Sequence, residues 1–215
     1  KNSLISNNAT NKTKTLAVRF PKHPLTRRLL KNLKFPLAAP SANISTKISP
    51  ISKQDVIDEF GKKIKFVLNG GESQIGLEST IINLTNKPQI LRLGGIERKK
   101  INKFLKTNMK FTKKQNNILV PGQGKVHYSP AIPIRLNVKK PKPNEAFVLI
   151  KKRKSSSKNF FYLTKNNNLK EAAKNLYKTL RIIKKNKFRS IAIEKIPSTG
   201  FGEAINDRLI RASKF

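Results

Sequence analysis

The sequence contains no cysteine and no tryptophan, one methionine and only two histidines. This chain can therefore form no disulfide, no thiolate metal site and no cysteine nucleophile, and a zinc site would depend on His23 and His127. No apolar run reaches the roughly 20 residues that a membrane-spanning helix needs, and the N-terminal region lacks the apolar core of a signal peptide. We therefore expect no zinc chemistry, no membrane association and a cytoplasmic location.

Acidic residues are scarce, since 11 Asp and Glu stand against 47 Lys and Arg and give a formal net charge of +36. Residues 1–54 and 98–144 contain no acid at all. A basic surface binds phosphate backbones by releasing counterions, which favours a nucleic-acid ligand. The lysines are scattered among asparagines and isoleucines, however, as codon bias in an AT-rich genome would also produce. Both interpretations stay open, and we do not expect nucleic acid to be the main ligand.

The first half of the chain predicts a domain of mixed strands and helices at residues 1–107, with an α/β or α+β fold. Its strand candidates are apolar or alternating runs that end at turn-forming residues. These candidates are TLAVRF at 15–20, FPLAAP at 35–40, KKIKFVLNGG at 62–71, LESTIINLT at 77–85 and PQILRLGG at 88–95. Helices are predicted for HPLTRRLLKNL, for QDVIDEF after an N-cap box at Ser52 and Asp55, and for IERKKINKFLK.

Residues 108–144 are rich in turn formers and predict a long linker, a kind of segment that is either disordered or lies over a site. Beyond it, EAFVLI, FFYLT and RSIAIEKI predict strands. Residues 169–185 and GEAINDRLIRAS predict helices, the first from its apolar stripe. The order β, β, α, β, α favours a second domain at 145–215 with a small parallel or mixed sheet.

The stretch AAPSANISTKISP at 38–50 is small and nearly neutral in a strongly basic chain. It follows a predicted strand and precedes a predicted helix, which is where open α/β sheets bind ligands. Its uncharged donors suit phosphate or carboxylate oxygens, and the following helix offers free N–H groups to an anion. These donors are Ser41, Asn43, Ser45, Thr46 and Ser49. On local grounds an ordinary turn is the alternative.

Two arginines, Arg19 and Arg92, lie within apolar runs, where an unpaired charge is costly. Each needs an acid or an anionic ligand, and guanidinium geometry suits a carboxylate or a phosphate. In GLESTIIN, strand alternation places Ser79 and Asn83 on one face, although this could be no more than a half-exposed strand start. Two interpretations therefore stay open for each arginine: an ion pair with an acid, or an anionic ligand bound near these side chains.

Five motifs follow one another along the chain, namely AVRFP, AAPSANIST with a later SP, GLESTIIN, ILRLGGI and PGQGKVHYSP. Together they resemble the YrdC-like threonylcarbamoyl-AMP synthases, and specifically the members that add a linker and a small C-terminal domain. The tail FGEAINDRLIRAS resembles the end of that domain, so the resemblance covers nearly the whole chain. It implies the C-terminal part of a YrdC-like twisted open sheet followed by a small Rossmann-like α/β domain.

Members of this family condense L-threonine, bicarbonate or CO2, and ATP into threonylcarbamoyl-AMP and pyrophosphate, which leads to threonylcarbamoyladenosine in tRNA. The resemblance implies Mg2+ with ATP, no tightly bound cofactor, no metal ligand in the protein and no covalent nucleophile. The implied ATP site comprises Ser41, Asn43, Ser49, Arg92, Lys125, His127 and Tyr128, the last three on a linker that acts as a lid. The implied threonine site comprises Arg19, the backbone at Ala39, and Ser79. The implied macromolecular partners are tRNA or another double-stranded RNA and the downstream tRNA threonylcarbamoyl transferase machinery, and no chemistry is implied for the C-terminal domain.

The Lys-x-Arg half of the family signature does not occur ahead of Arg19, and the chain begins at Lys1 with its only methionine at Met109. We therefore expect this sequence to be the C-terminal portion of a longer protein and to be inactive by itself. One rival is a non-catalytic RNA-binding protein on the same fold, whose salt-sensitive RNA binding would survive Ser41→Ala and Arg92→Ala. Another is a carbamoyl-transfer maturation enzyme, which the linker, the short tail and the lack of zinc-finger cysteines disfavour.

Overall fold

The computed structural model describes residues 5–10, 13–85, 87–111, 120–122, 124, 126–154 and 157–214. Short 3-10 turns occupy Asn7–Thr10 and Gly61–Lys63. The helices of the described residues are α1 (Pro24–Lys31), α2 (Lys53–Phe60), α3 (Arg98–Phe104), α4 (Leu169–Lys185) and α5 (Phe201–Ala212). The strands of the same residues are β1 (Ile81–Asn83), β2 (Gln89–Arg92), β3 (Ile134–Arg135), β4 (Ala146–Lys151), β5 (Phe160–Thr164) and β6 (Ile191–Ile193). The mixed α/β fold class is confirmed.

Helix α2 begins where the capping pattern predicts. The backbone N–H of Asp55 donates to Ser52 Oγ at 3.2 Å, and the Asp55 carboxylate accepts from the backbone N–H of Ile51 at 2.9 Å. These two contacts satisfy donors that the first helical turn leaves free. The helix ends at Gly61, whose φ of +52° favours glycine. The loop at 38–50 thus runs directly into a fixed helix start.

Three predicted strands do not form. Residues 15–20, 35–40 and 62–71 contain no strand in the described structure, so the predictions for TLAVRF, FPLAAP and KKIKFVLNGG are wrong. A strand needs a neighbour that exchanges backbone hydrogen bonds with it, and none of the described segments provides one here. The side chains of Phe20 and Phe66 are accordingly 96% and 90% exposed.

The other two predicted strands of this half form an antiparallel hairpin, which confirms them. Ile81 pairs with Arg92 and Ile82 with Ile90, with a register shift between Ile81 and Ile82. Buried residues that join β2 to α3 and α5 form a small cluster, comprising Ile90, Leu93, Ile101, Met109 and Ala204. The hairpin brings the start of β1 beside the end of β2, and therefore Ser79 beside Arg92.

The three strands and two helices predicted for the C-terminal half form, and a fourth strand that was not predicted joins their sheet. Its four strands are parallel and lie in the order β3-β6-β4-β5. Strand β3 lies within the segment 108–144 that is predicted as a linker, yet it pairs with β6. The domain limits at 107 and 145 stay predictions. Helices α4 and α5 bury their apolar faces in the cluster that contains Val148 and Ile191.

The main hydrophobic cluster extends across both halves of the chain. Ile48 lies in the loop at 38–50, which we call the neutral loop, and Tyr128 lies in the predicted linker. Both pack in the same cluster as Leu176 of α4 and Ile205 of α5. The loops that carry the predicted ligands are therefore fixed against the C-terminal helices. Across the described residues, every helix is too short or too polar to cross a membrane.

Candidate functional site

The neutral loop at 38–50 is held in shape by the buried amide of Asn43. Its Nδ2 atom donates to the carbonyl oxygens of Ile44 at 2.9 Å and Lys47 at 3.2 Å. Its Oδ1 atom is buried and has no hydrogen-bond partner. Because both of its donated hydrogen bonds go to the loop backbone, Asn43 shapes the loop here, and the polar group it leaves for a ligand is an acceptor.

Three predicted ligand positions, Arg19, Ala39 and Ser41, are exposed. The expectation that Arg19 is buried in an apolar strand is wrong, because that strand does not form. Burial lowers the pKa of Arg92 most; Tyr128 and Glu78 raise it, the Arg208 charge lowers it, and the Arg19 charge makes the smallest contribution, which also lowers it.

Arg92 is buried and is held by three hydrogen bonds to neutral oxygens. Its Nε and Nη2 atoms donate to the carbonyl oxygen and Oγ of Ser79, both at 3.1 Å, and Nη1 donates to the carbonyl oxygen of Pro121 at 3.0 Å. Burial lowers its pKa, but a guanidinium still carries its charge at neutral pH. The charge is oriented by neutral groups, an arrangement that suits an anionic ligand.

The linker is attached to the neutral loop at residues 127–129. The backbone N–H of Ser129 donates to the carbonyl oxygen of Thr46 at 2.8 Å, and Lys47 and Ser129 form a parallel bridge. Tyr128 is only 1% exposed, and its hydroxyl is buried without a hydrogen-bond partner. The predicted lid residue Tyr128 thus packs in the same cluster as Ile48 of the loop, whereas the backbone N–H of His127 donates to the carbonyl oxygen of Arg211 on α5 at 3.5 Å. Lys125 lies outside the described residues.

A carboxylate that was not among the predicted ligands lies at the centre of this region. Glu78 accepts from Ser49 Oγ at 2.6 Å, from Arg208 Nε at 2.9 Å, and from the Tyr177 hydroxyl at 3.1 Å. Burial raises the pKa of Glu78, but the Arg208 charge and the Ser49 hydrogen bond outweigh burial and lower it. Ser49 uses its only hydroxyl hydrogen on Glu78, so toward a ligand its oxygen acts as an acceptor.

The ring of Tyr128 lies over the guanidinium of Arg208. Its Cζ atom lies 4.8 Å from the ring centroid of Tyr128, which stacks on Tyr177 with centroids 5.9 Å apart. Burial raises the pKa of Tyr128 to about 12 and that of Tyr177 well above its usual value, so both hydroxyls are protonated at neutral pH. Cation–π contacts of this kind are strongest when desolvated.

His127 gives the protein a titration that can be measured. Burial lowers its pKa, and its Nδ1 atom has no hydrogen-bond partner. In the unfolded chain it binds a proton near pH ~6.5, whereas in the folded chain it does so only at lower pH. Its contribution to stability is therefore present above pH ~6.5 and is lost as the pH falls from there through the folded pKa.

We expect the free energy of unfolding to fall as the pH is lowered from ~6.5 because of His127. Urea denaturation at a series of pH values measures it. The slope should flatten in His127→Gln and persist in the control His23→Gln, since His23 is exposed. Equal slopes in His127→Gln and in the unmodified chain would show that burial of His127 does not control this titration.

The structure thus brings together Ser49, Ser79, Arg92, His127 and Tyr128, and leaves Arg19, Ala39 and Ser41 exposed. Sequence reasoning missed Glu78, Tyr177 and Arg208. The acid in GLEST and the arginine in the apolar face of α5 were the available signals, because charged residues at buried positions need partners.

Comparisons with known proteins agree with this architecture. A family model described as telomere recombination matches residues 1–94, and one described as the C-terminal domain of threonylcarbamoyl-AMP synthase matches residues 96–214. The threonylcarbamoyl-AMP synthase of Pyrococcus abyssi is 33% identical over 222 residues, which cover 94% of this chain and 64% of the relative. That of Bacillus subtilis is 30% identical, with coverages of 93% and 63%.

The fold of the chain is also similar to that of a solved structure. The crystal structure of P. abyssi Sua5 complexed with L-threonine superposes with a TM-score of 0.87 and 30% identity, covering 99% of this chain and 68% of that one. The chain spans less than two thirds of the curated relatives described above. The two family models cover both halves of the chain, and the second alone matches more than half of it. The chain therefore belongs to the YrdC-like threonylcarbamoyl-AMP synthase family, in its two-domain form.

Proposed function

We propose that the protein forms threonylcarbamoyl-AMP and pyrophosphate from ATP, L-threonine and bicarbonate or CO2. This proposal rests on the buried guanidinium of Arg92, which the neutral oxygens of Ser79 and Pro121 orient. A fixed, buried positive charge suits phosphate oxygens, and the negative charge of nearby Glu78 is paired with Arg208. Family membership supports the assignment of the reaction.

In the proposed reaction the threonine amine attacks the carbon of bicarbonate, and a carbamate forms with loss of water. A carbamate oxygen then attacks the α-phosphorus of ATP, and pyrophosphate leaves. Arg92 stabilises charge on the phosphates, while Arg19 and Ser79 hold the threonine carboxylate and side chain. The protein contributes by positioning the reactants and by stabilising charge, with no covalent nucleophile.

We propose that Mg2+ enters this site on the phosphates of ATP, as part of the substrate. Among the described residues, no group of three or more histidine, aspartate or glutamate side chains could hold a metal ion. Such a division of labour, with phosphates as the main ligands, is usual for Mg2+. A cytoplasmic location, contact with tRNA and action ahead of a tRNA threonylcarbamoyl transferase stay predictions.

Exposed apolar side chains support the expectation that residues 1–215 are not sufficient for activity. Val18, Phe20, Phe35, Phe66 and Leu68 all belong to the three segments that fail to form strands, and all are more than half exposed. Because all five lie in segments with the pattern of buried strands, we infer that they mark an interface. We propose that its partner is a segment equivalent to the part of the curated relatives that this chain does not match.

Pyrophosphate release tests both proposals. The complete gene product should release pyrophosphate only when ATP, threonine and bicarbonate are all present. The 215-residue chain should release none above a control without threonine, because the Lys-x-Arg pair does not occur ahead of Arg19 and no described segment pairs with its three strand-like segments. Threonine- and bicarbonate-dependent release from the 215-residue chain would contradict the second proposal. An inactive complete product that binds RNA tightly would favour the RNA-binding alternative.

A further inference from the structure

Three proposed ligands, Ser49, Ser79 and Arg92, are connected to one buried ion pair by a hydrogen bond or by adjacent backbone. Glu78 and Arg208 form this pair, with 2.9 Å between Glu78 Oε2 and Arg208 Nε. Ser49 donates to Glu78, Ser79 follows it in the chain, and Arg92 precedes the residue whose carbonyl oxygen accepts from Arg208. The geometry of the ligand set therefore depends on the position of this pair.

The first connection runs to Ser49. Its Oγ lies 2.6 Å from Glu78 Oε1, which also accepts from the Tyr177 hydroxyl at 3.1 Å. Because Ser49 has one hydroxyl hydrogen, this contact fixes the direction in which its lone pairs point. Moving or reorienting the carboxylate would rotate the Ser49 hydroxyl with it.

The second connection runs to both strands of the hairpin. The carbonyl oxygen of Glu78 accepts from the backbone N–H of Gly95 at 2.8 Å, and Arg208 Nη2 donates to the carbonyl oxygen of Leu93 at 2.6 Å. Arg208 thus contacts the Glu78 side chain on the segment before β1 and the backbone just after β2. These two segments carry Ser79 and Arg92, so their separation depends on Arg208.

The groups that hold the carboxylate come from the C-terminal helices. Tyr177 lies on α4 and Arg208 on α5, and each is 1% exposed. Arg208 Nη1 also donates to Asp207 at 2.7 Å, so its charge is fully engaged. Helix α4 reaches the neutral loop as well, since Arg181 Nη2 donates to the carbonyl oxygen of Ile48 at 2.8 Å.

A buried ion pair is a poor way to gain stability, because desolvation offsets much of the attraction and apolar residues of similar size serve as well. It is a good way to fix geometry, because each charge-assisted hydrogen bond has a defined direction. In this protein, the hydrogen bonds of Glu78 and Arg208 connect to the segments that carry Ser49, Ser79 and Arg92. The family resemblance implies no chemistry for the C-terminal domain. The contact of its residues Tyr177 and Arg208 with Glu78 indicates a structural role for that domain in the site.

We propose that Arg208 and Tyr177 are positioning residues through which the C-terminal domain sets the geometry of the ATP and threonine sites, by way of Glu78. This inference rests on the proposed function. Neither residue touches the reacting atoms. The domain acts as a rigid support that holds Ser49, Ser79 and Arg92 in register.

The test uses matched arginine substitutions in the complete gene product. Arg208→Lys keeps the charge but cannot reach Glu78, Asp207 and Leu93 together. We expect it to raise the KM for ATP and the KM for threonine about tenfold each, and Tyr177→Phe to raise both about threefold. The control Arg98→Lys alters another contact with α5, the ion pair to Glu203, and should leave both KM values within about twofold.

Pyrophosphate release gives the kinetic constants, calorimetry gives ATP and threonine affinities, and thermal unfolding reports stability. An inactive unmodified protein would contradict the proposed reaction, while the affinities would still test the positioning role. Variants that unfold at lower temperature but keep both KM values and both affinities would show that Arg208 and Tyr177 are only structural. Tyr177→Phe decides the matter if Arg208→Lys does not fold.

Discussion

Gly76→Ala is expected to destabilise the protein by about 3–5 kcal/mol, whereas Gly71→Ala is expected to cost only about 1–2 kcal/mol. Both glycines have nearly the same positive φ, +74° for Gly76 and +76° for Gly71. A Cβ atom at Gly76 would lie 2.5 Å from the carbonyl oxygen and 2.6 Å from Cα of Lys174, whereas one at Gly71 would meet no atom within 4 Å. The clash is with helix backbone, which cannot rotate away.

Comparing the two variants separates the cost of placing alanine at a positive φ from the cost of the clash with α4. Urea denaturation of both proteins measures the two free energies of unfolding, and their difference isolates the contact between the 76–79 segment and α4. Since Glu78 lies two residues after Gly76, a displaced segment would also disturb the hydrogen bond from Tyr177. Equal losses of stability in the two variants would show that this contact is not tightly packed.

The C-terminal half was predictable because its partners lie close together in sequence. Residues 169–185 were predicted as a helix from an apolar stripe, and α4 has those bounds. Its buried side chains Leu176, Leu180 and Ile183 face strands from the same half of the chain. Periodicity is reliable where one element contains a whole apolar face and the neighbouring elements cover it.

The N-terminal half was predicted less well for a physical reason. The patterns at 15–20, 35–40 and 62–71 are those of strands, but strand hydrogen bonds are made with other segments, and no described segment supplies them. Helix α1 and the start of α2 were predicted because backbone bonds and caps are local. The helices, which local contacts specify, were therefore predicted correctly, whereas the strands that need a distant partner were not.

Only part of the site was visible in the sequence. The hairpin register that joins Ser79 to Arg92 follows from two adjacent strands and one short turn. The pairing of Glu78 with Arg208 spans 130 residues and depends on how two halves of the chain dock. No periodicity or motif couples such positions, so the central carboxylate of the site had to come from the structure.

Arg92→Met in the complete gene product is expected to lower kcat/KM for ATP by about 100-fold, or ~2.7 kcal/mol of transition-state stabilisation. The substitution removes the charge proposed to bind phosphate and leaves the oxygens of Ser79 and Pro121 without their donors. Arg92→Lys should recover part of the loss, because it keeps the charge without the planar fork. Pyrophosphate release at varied ATP concentrations measures both variants.

Two comparisons separate ligand binding from structural support at Arg92. Ser79→Ala removes the oxygen that accepts from Nη2 while keeping the carbonyl that accepts from Nε, so it should raise the KM for threonine more than that for ATP. Arg98→Met removes a partly exposed arginine whose partner is Glu203, and it should leave both KM values unchanged within about twofold. If Arg92→Met lowers the unfolding temperature but keeps the KM for ATP, then its guanidinium only joins Ser79 to the linker, and the phosphates must be held by other residues.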